Sequence, residues 1–153
     1  MKFTVSLFTL LLCGIFTYAQ SDFDDVHVQT LGGIELPLSS VLKNEKDKPT
    51  VLFTWSKRWC KPCVEALDEF DIEYYEDLRD SYDLKFIALN LDTELVKDEV
   101  KQYVIDKEWY FDVFQDPDGN YMKALNITGA PQTILIINKI VIKYKSGFID
   151  GFD

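Results

Sequence analysis

The stretch Trp55-Ser56-Lys57-Arg58-Trp59-Cys60-Lys61-Pro62-Cys63 constrains this chain most, because two cysteines stand three apart where an apolar run gives way to a helical pattern. Upstream, Thr50-Val51-Leu52-Phe53-Thr54-Trp55 is rich in β-branched and aromatic residues and predicts a buried strand. Downstream, Cys63, Leu67, Phe70, Tyr74 and Leu78 recur at steps of three and four, which predicts one amphipathic helix with acids on its other face. Pro62 falls in the first turn, where a missing N–H costs nothing because that turn has no intrahelical acceptor for it.

A strand–turn–helix unit of this kind has a chemical consequence. A thiol at a helix N-terminus sits near roughly half a positive charge, and Lys57, Arg58 and Lys61 lie close in sequence. Both effects favour thiolate, the nucleophile of thiol–disulfide exchange, so Cys60 is expected to be exposed and to attack. Cys63, one turn further in and more buried, is expected to resolve the mixed disulfide. A C-x-x-C pair has two other common uses. A zinc site needs two further ligands, and the chain offers only His27 and Cys13; a structural disulfide closing so short a loop stabilises little by chain entropy.

At 153 residues, 47% of them hydrophobic, the chain is long enough for one domain with a real core. Residues 1–19 stand apart from it: Lys2 is their only charge, Val5 to Phe16 is apolar, and Thr17-Tyr18-Ala19 ends on a small residue, the pattern of a secretory signal peptide. Cys13 follows Leu12 rather than a small residue, which argues against lipidation. Without the leader, Cys60 and Cys63 are the remaining thiols, an even pair in an export context. The formal charge of -10 excludes polyanion binding through clustered bases, so no nucleic-acid partner is expected. The acids Glu65, Asp68, Glu69, Asp71, Glu73, Glu76, Asp77 and Asp80 read as a solvated helix face.

The rest of the chain supplies the frame. Val26–Leu31 and Ile34–Leu38, joined by Gly32-Gly33, predict a β-hairpin that holds His27 as a structural residue, and Ser39 or Ser40 is expected to cap a short helical turn. Leu84–Leu91 predicts a strand parallel to the first, and residues 94–107 a helix capped by Asp92 or Thr93. Tyr110–Gln115 reads as a third strand, Asp116–Gly119 as a turn and Asn120–Leu125 as a brief helix. Gln132–Ile137 and Ile140–Phe148 around Asn138-Lys139 predict an antiparallel hairpin. The sum is an α/β sandwich with a mixed sheet.

Trp59-Cys60-Lys61-Pro62-Cys63 after a strand, with Gly129-Ala130-Pro131-Gln132-Thr133 entering another, resembles the thioredoxin-like proteins, and more closely the TlpA/ResA group of extracytoplasmic thiol–disulfide oxidoreductases. The resemblance covers residues 26–153, and it implies a thioredoxin-like domain over 20–153. It makes Cys60 and Cys63 the catalytic pair, supported by Trp59, Lys61, Pro62, Ala130 and a cis Pro131 that faces the dithiol and denies it a metal. It implies no cofactor beyond the redox-active disulfide, protein disulfides as substrates, a membrane electron donor of thiol-reducing type, a monomer, and a place in a bacterial periplasm or envelope. By the same resemblance the reaction is reduction, for instance before haem attachment to cytochromes c.

The chain also departs from that group. Its relatives commonly read F-W-A-x-W-C, where Trp55, Ser56, Lys57 and Arg58 stand here. A Glu often placed three residues after the second cysteine is Ala66, and thioredoxin's buried acid in the strand before the motif is Thr54, which leaves Glu65 or water to take the proton of Cys63. Relatives continue into a closing helix after the segment that matches Gly147 to Asp153, and such a helix is not expected from these residues. The missing Glu after Cys63 and the missing helix favour the rival reading, a non-enzymatic thioredoxin-fold binding or metallochaperone-like module. A peroxidase arrangement P-x-x-x-[TS]-x-x-C is missing.

Overall fold

A computed structural model describes residues 23–45, 47–138 and 140–147. The leader and the segment after Gly147, including the end expected for the last strand, lie outside the described residues. The run Thr50–Trp55 forms the central strand, β3, buried along its whole length as its composition requires. A hairpin of β1 (His27–Thr30) and β2 (Glu35–Pro37) precedes it. β4 (Lys85–Asn90) and β5 (Asp112–Gln115) follow, and β6 (Gln132–Ile137) and β7 (Ile140–Ser146) complete one seven-stranded sheet in the order β2-β1-β5-β4-β3-β6-β7. The β3–β4 and β4–β5 pairs are parallel and the others antiparallel, a mixed sheet as expected.

Side chains alternate across this sheet, and the alternation builds two cores. Val51, Phe53 and Trp55 of β3 with Phe86 and Ala88 of β4 face helix α2 (Lys61–Glu73) and helix α4 (Lys97–Lys107), which contribute Cys63, Leu67, Val100 and Val104. Leu52, Ile87 and Leu89 face the other way, onto α1 (Leu38–Val41) and α5 (Asn120–Ala124), where Leu38, Val41 and Tyr121 are buried. The redox motif therefore sits over the first core, lined by Phe53, Phe70, Phe86, Trp109 and Phe111; the Phe70 and Phe86 rings stack at 4.2 Å and Trp55 meets Trp109 edge-on at 5.2 Å. Among the described residues no helix is long and apolar enough to cross a membrane.

Three expectations are corrected. The helix after the motif is not continuous: Tyr74, at φ -126°, separates α2 from α3 (Tyr75–Tyr82). That break rotates the next turn, so Tyr74 is exposed and Tyr75 is buried against Phe70 and Phe111, with ring centroids 6.0 and 5.8 Å away. Ser39 and Ser40 lie inside α1 rather than capping it; Pro37 holds the cap position and the Ser40 hydroxyl donates back to the Pro37 carbonyl at 2.7 Å. Residues 94–107 begin as a 3-10 turn (Glu94–Val96), and neither Thr93 nor Asp92 caps it through a side chain, because the Asp92 carboxylate is engaged elsewhere.

The expected turn at Asp116–Gly119 is closed by the Gly119 N–H to the Asp116 carbonyl at 3.1 Å, with Gly119 at φ +67°, a conformation glycine adopts without a Cβ clash. Asp116 then caps α5, accepting from the N–H groups of Asn120 (2.7 Å) and Tyr121 (3.1 Å). Burial outweighs these bonds and pushes its carboxyl up to about 6. Between the unfolded value of about 4 and the folded one, the native chain holds a proton that the unfolded chain has lost, so this contribution is present below about pH 4 and is lost as pH rises through 6. Asp116→Asn cannot titrate. The stability of the natural chain minus that of the variant, from urea unfolding at pH 4 to 7, should therefore fall by on the order of 2–3 kcal/mol as pH rises; a flat difference would place the Asp116 carboxyl in its ordinary range.

Candidate active site

Cys60 and Cys63 form a disulfide with Cα atoms 5.3 Å apart. Cys60 occupies the N-cap of α2, its carbonyl accepting from the N–H of Cys63 at 3.0 Å and of Val64 at 3.4 Å, and Pro62 lies in the first turn as the sequence predicts. Cys60 therefore stands at the start of α2, where the aligned peptide dipoles place the positive pole of the helix. Cys63 is fully buried in the first core, and Cys60 is only 6% accessible. The expectation of an exposed Cys60 is thus corrected for the disulfide form, although the order of burial is as expected.

Ala130 and Pro131 arrive opposite this pair. The Ala130–Pro131 bond is cis, and the Ala130 carbonyl oxygen lies 3.9 Å from Cys60 Sγ. The loop is tied on both sides: the Gly147 N–H donates to the Pro131 carbonyl at 2.9 Å, the Gln132 side-chain amide to the Gly129 carbonyl at 3.1 Å, and the Gln132 N–H to Thr54 Oγ1 at 2.8 Å. Thr54, at the position of thioredoxin's buried acid, is therefore an anchor: its hydroxyl extends the β3–β6 pairing one residue past Phe53–Thr133. Trp59 is half exposed, and Pro62 and Lys61 are exposed beside the disulfide.

Two of the three flanking cations are paired with carboxylates. Lys61 pairs with Glu65 at 3.2 Å, both well exposed, and Lys57 pairs with Glu99 at 3.4 Å while its ammonium lies 5.6 Å from the Tyr103 ring centroid. The Lys61–Glu65 pair lies at the surface, where such pairs are worth little, while the Lys57–Glu99 pair is partly buried on the lysine side. Glu65 faces solvent, as its place on the helix implies. His27 lies on β1, separated from β3 by β5 and β4, and among the described residues no three of His, Cys, Asp and Glu gather as a metal would require.

Sequence reasoning missed how the turn before Cys60 is held. Ser56 and Asp92 are buried beneath it, the Ser56 hydroxyl donating to Asp92 Oδ1 at 2.5 Å and accepting from the N–H groups of Arg58 and Trp59, both at 3.1 Å. Asp92 Oδ2 accepts from the Lys57 N–H at 2.7 Å and from the Asn90 side-chain amide at 2.9 Å. The available signal was polar residues placed directly after two strands expected to be parallel neighbours.

Residues 19–145 match the AhpC/TSA family. The chain belongs to that family. Its fold is similar to that of an uncharacterized thioredoxin-like protein from Porphyromonas gingivalis, at 24% identity over 82% of this chain and 80% of that one with a TM-score of 0.68. It is similar also to StoA from Bacillus subtilis, at 25% identity over 80% of this chain and 87% of that one with a TM-score of 0.61. A secreted disulfide oxidoreductase of Mycobacterium tuberculosis shares the fold at 16% identity, with a TM-score of 0.60, over 88% of this chain and 90% of that one. No protein of curated function matches the chain. Family, fold and the Cys60–Cys63 disulfide make this AhpC/TSA member a thioredoxin-like thiol–disulfide oxidoreductase.

The Thr54 anchor gives a direct test of how the Pro131 loop is held. Thr54→Val strands the buried Gln132 N–H and should cost about 1–3 kcal/mol, whereas Thr54→Ser, which keeps the oxygen, should recover most of that loss in urea unfolding. Equal stability of the valine variant and the natural chain would remove the anchor from the account.

Proposed function

We propose that this protein is an exported reductase that passes two electrons from its Cys60/Cys63 dithiol to disulfides of other envelope proteins. The observation that carries the reading is the asymmetry of the pair: Cys60 at the N-terminus of α2 beside the Ala130 carbonyl, Cys63 sealed in an apolar core. In the proposed cycle the Cys60 thiolate attacks one sulfur of a substrate disulfide, forming a mixed disulfide and releasing the other sulfur as a thiolate. The Cys63 thiolate then attacks Cys60 Sγ, the second substrate sulfur leaves, and the Cys60–Cys63 disulfide closes. A thiol-type electron donor at the membrane returns two electrons and restores the dithiol.

Export is supported by the leader-like residues 1–19, and the direction by the resemblance to the TlpA/ResA group, within which delivery of reduced cysteines for haem attachment to cytochromes c is the finer reading. The Ala130 backbone offers an extended substrate segment its acceptor next to Cys60, and the half-exposed Trp59 an apolar contact. Protein disulfides are thus the substrate class, and the redox disulfide is the sole group the chemistry requires.

Three measurements test this reading. In the reduced protein, iodoacetamide near neutral pH should modify Cys60 before Cys63, since Cys60 combines the helix terminus with the lesser burial; mass mapping that finds Cys63 first reverses the roles. Cys63→Ser should accumulate envelope proteins as mixed disulfides on Cys60, because resolution is blocked. A pull-down without reducible adducts, together with no reduction of insulin by the natural chain, would defeat the proposal.

A further inference from the structure

The three backbone N–H groups that precede Cys60, those of Lys57, Arg58 and Trp59, have no place in a strand or helix, yet all three find buried acceptors in one cluster. The acceptors are the Asp92 carboxylate and the Ser56 hydroxyl, 3% and 0% accessible. A hydroxyl has one hydrogen to donate and two lone pairs to accept with, and Ser56 uses all of them: the hydrogen goes to Asp92 Oδ1 and the lone pairs take Arg58 and Trp59. Asp92 is itself fixed from behind by Asn90, which gives its amide to Oδ2 at 2.9 Å and accepts the Asp92 N–H at 3.0 Å. Nothing in this cluster faces solvent as a surface carboxylate would, and the exchange cycle uses none of it.

We infer that Ser56 and Asp92 are positioning residues for the redox pair: they clamp the turn that ends at Cys60 and so hold its sulfur on the positive end of α2. The inference rests on the reading of Cys60 as nucleophile. Its physical basis is satisfiability. Alanine at position 56 would leave a buried Asp92 carboxylate oxygen and two part-buried N–H donors without their present partner, and a shift of the turn that relieves this carries Cys60 with it. A thiolate moved away from the dipole is less stabilised, so the dithiol is disfavoured relative to the disulfide.

The test uses readouts that need no protein substrate. Ser56→Ala in the full chain should react with iodoacetamide at Cys60 about tenfold more slowly than the natural protein. Its equilibrium with glutathione should move about tenfold toward the Cys60–Cys63 disulfide, roughly 30 mV for two electrons. Ser56→Thr, which keeps the hydroxyl, should stay within about twofold of the natural chain on both counts. Asp92→Asn, which turns a donor toward donors, should move both readings in the alanine direction and serves the same purpose if Ser56→Ala does not fold. Variants that lose melting temperature while alkylation and equilibrium stay unchanged overturn the inference, leaving Ser56 and Asp92 a merely structural part. The outcome is separable from the functional reading: a natural chain inert toward insulin whose Ser56→Ala variant still shifts both readings loses the reductase role and keeps the clamp.

Discussion

The parallel pairing of β3 with β4 is the constraint on which the rest of the site depends. In that register Trp55 stands beside Asn90, so the chain leaves both strands at one level and Ser56 meets Asp92 immediately beyond. A parallel pair needs a crossover, and here α2 and α3 supply it, which obliges the chain to turn sharply after Trp55 and start a helix. The redox cysteines occupy that turn. Ligand and reaction sites of open α/β sheets gather at the carboxyl ends of parallel strands for this reason, and the turn here is further stiffened by hydrogen bonds on charged and hydroxyl acceptors, worth more than neutral ones when buried.

A second consequence concerns the chemistry of the sulfurs. Lysines close in sequence to Cys60 suggest a cationic site, yet Lys57 and Lys61 each reach a carboxylate, Glu99 and Glu65, and Lys61 lies in water where screening is strong. The backbone itself acts directly at Cys60, through the end of α2 and the Ala130 carbonyl. Cys63 is fully buried in the apolar cluster that also holds Trp55 and Leu67. Such burial disfavours a charged sulfur and separates the behaviour of the two thiols by environment alone, although they are two residues removed from being neighbours. Thr54, which relatives' chemistry would make an acid, instead closes the seam between β3 and the loop of Pro131.

Where sequence reasoning fell short, a contact between distant segments had overridden a local pattern. The step of three and four through Tyr74 was a sound helical period, but Tyr75 gains Phe70 and Phe111 by a break in the helix, and Phe111 comes from a segment more than thirty residues on. Ser39, Ser40, Thr93 and Asp92 were all acceptable caps by residue type. None caps through its side chain, because Pro37 sets the entry to α1 and Asp92 is drawn to Ser56 across the sheet. Capping preferences rank alternatives of about a kilocalorie per mole, less than a buried carboxylate gains from several donors.

The sequence by itself determined the strand Thr50–Trp55, the helix that starts at Lys61, the two cysteines between them and the mixed α/β sheet, since each follows from local periodicity, composition and spacing. The place of Ala130 and Pro131 against the cysteines came from resemblance, and no local pattern would have supplied it. Tertiary structure alone decided that Ser56 and Asp92 meet, that Thr54 is an anchor, and that Cys60 is almost covered in the disulfide form. The reason is physical: periodicity records which face of an element is dry, whereas the partner of a buried polar atom depends on strand order and register, and these are settled only when the whole sheet closes around its core.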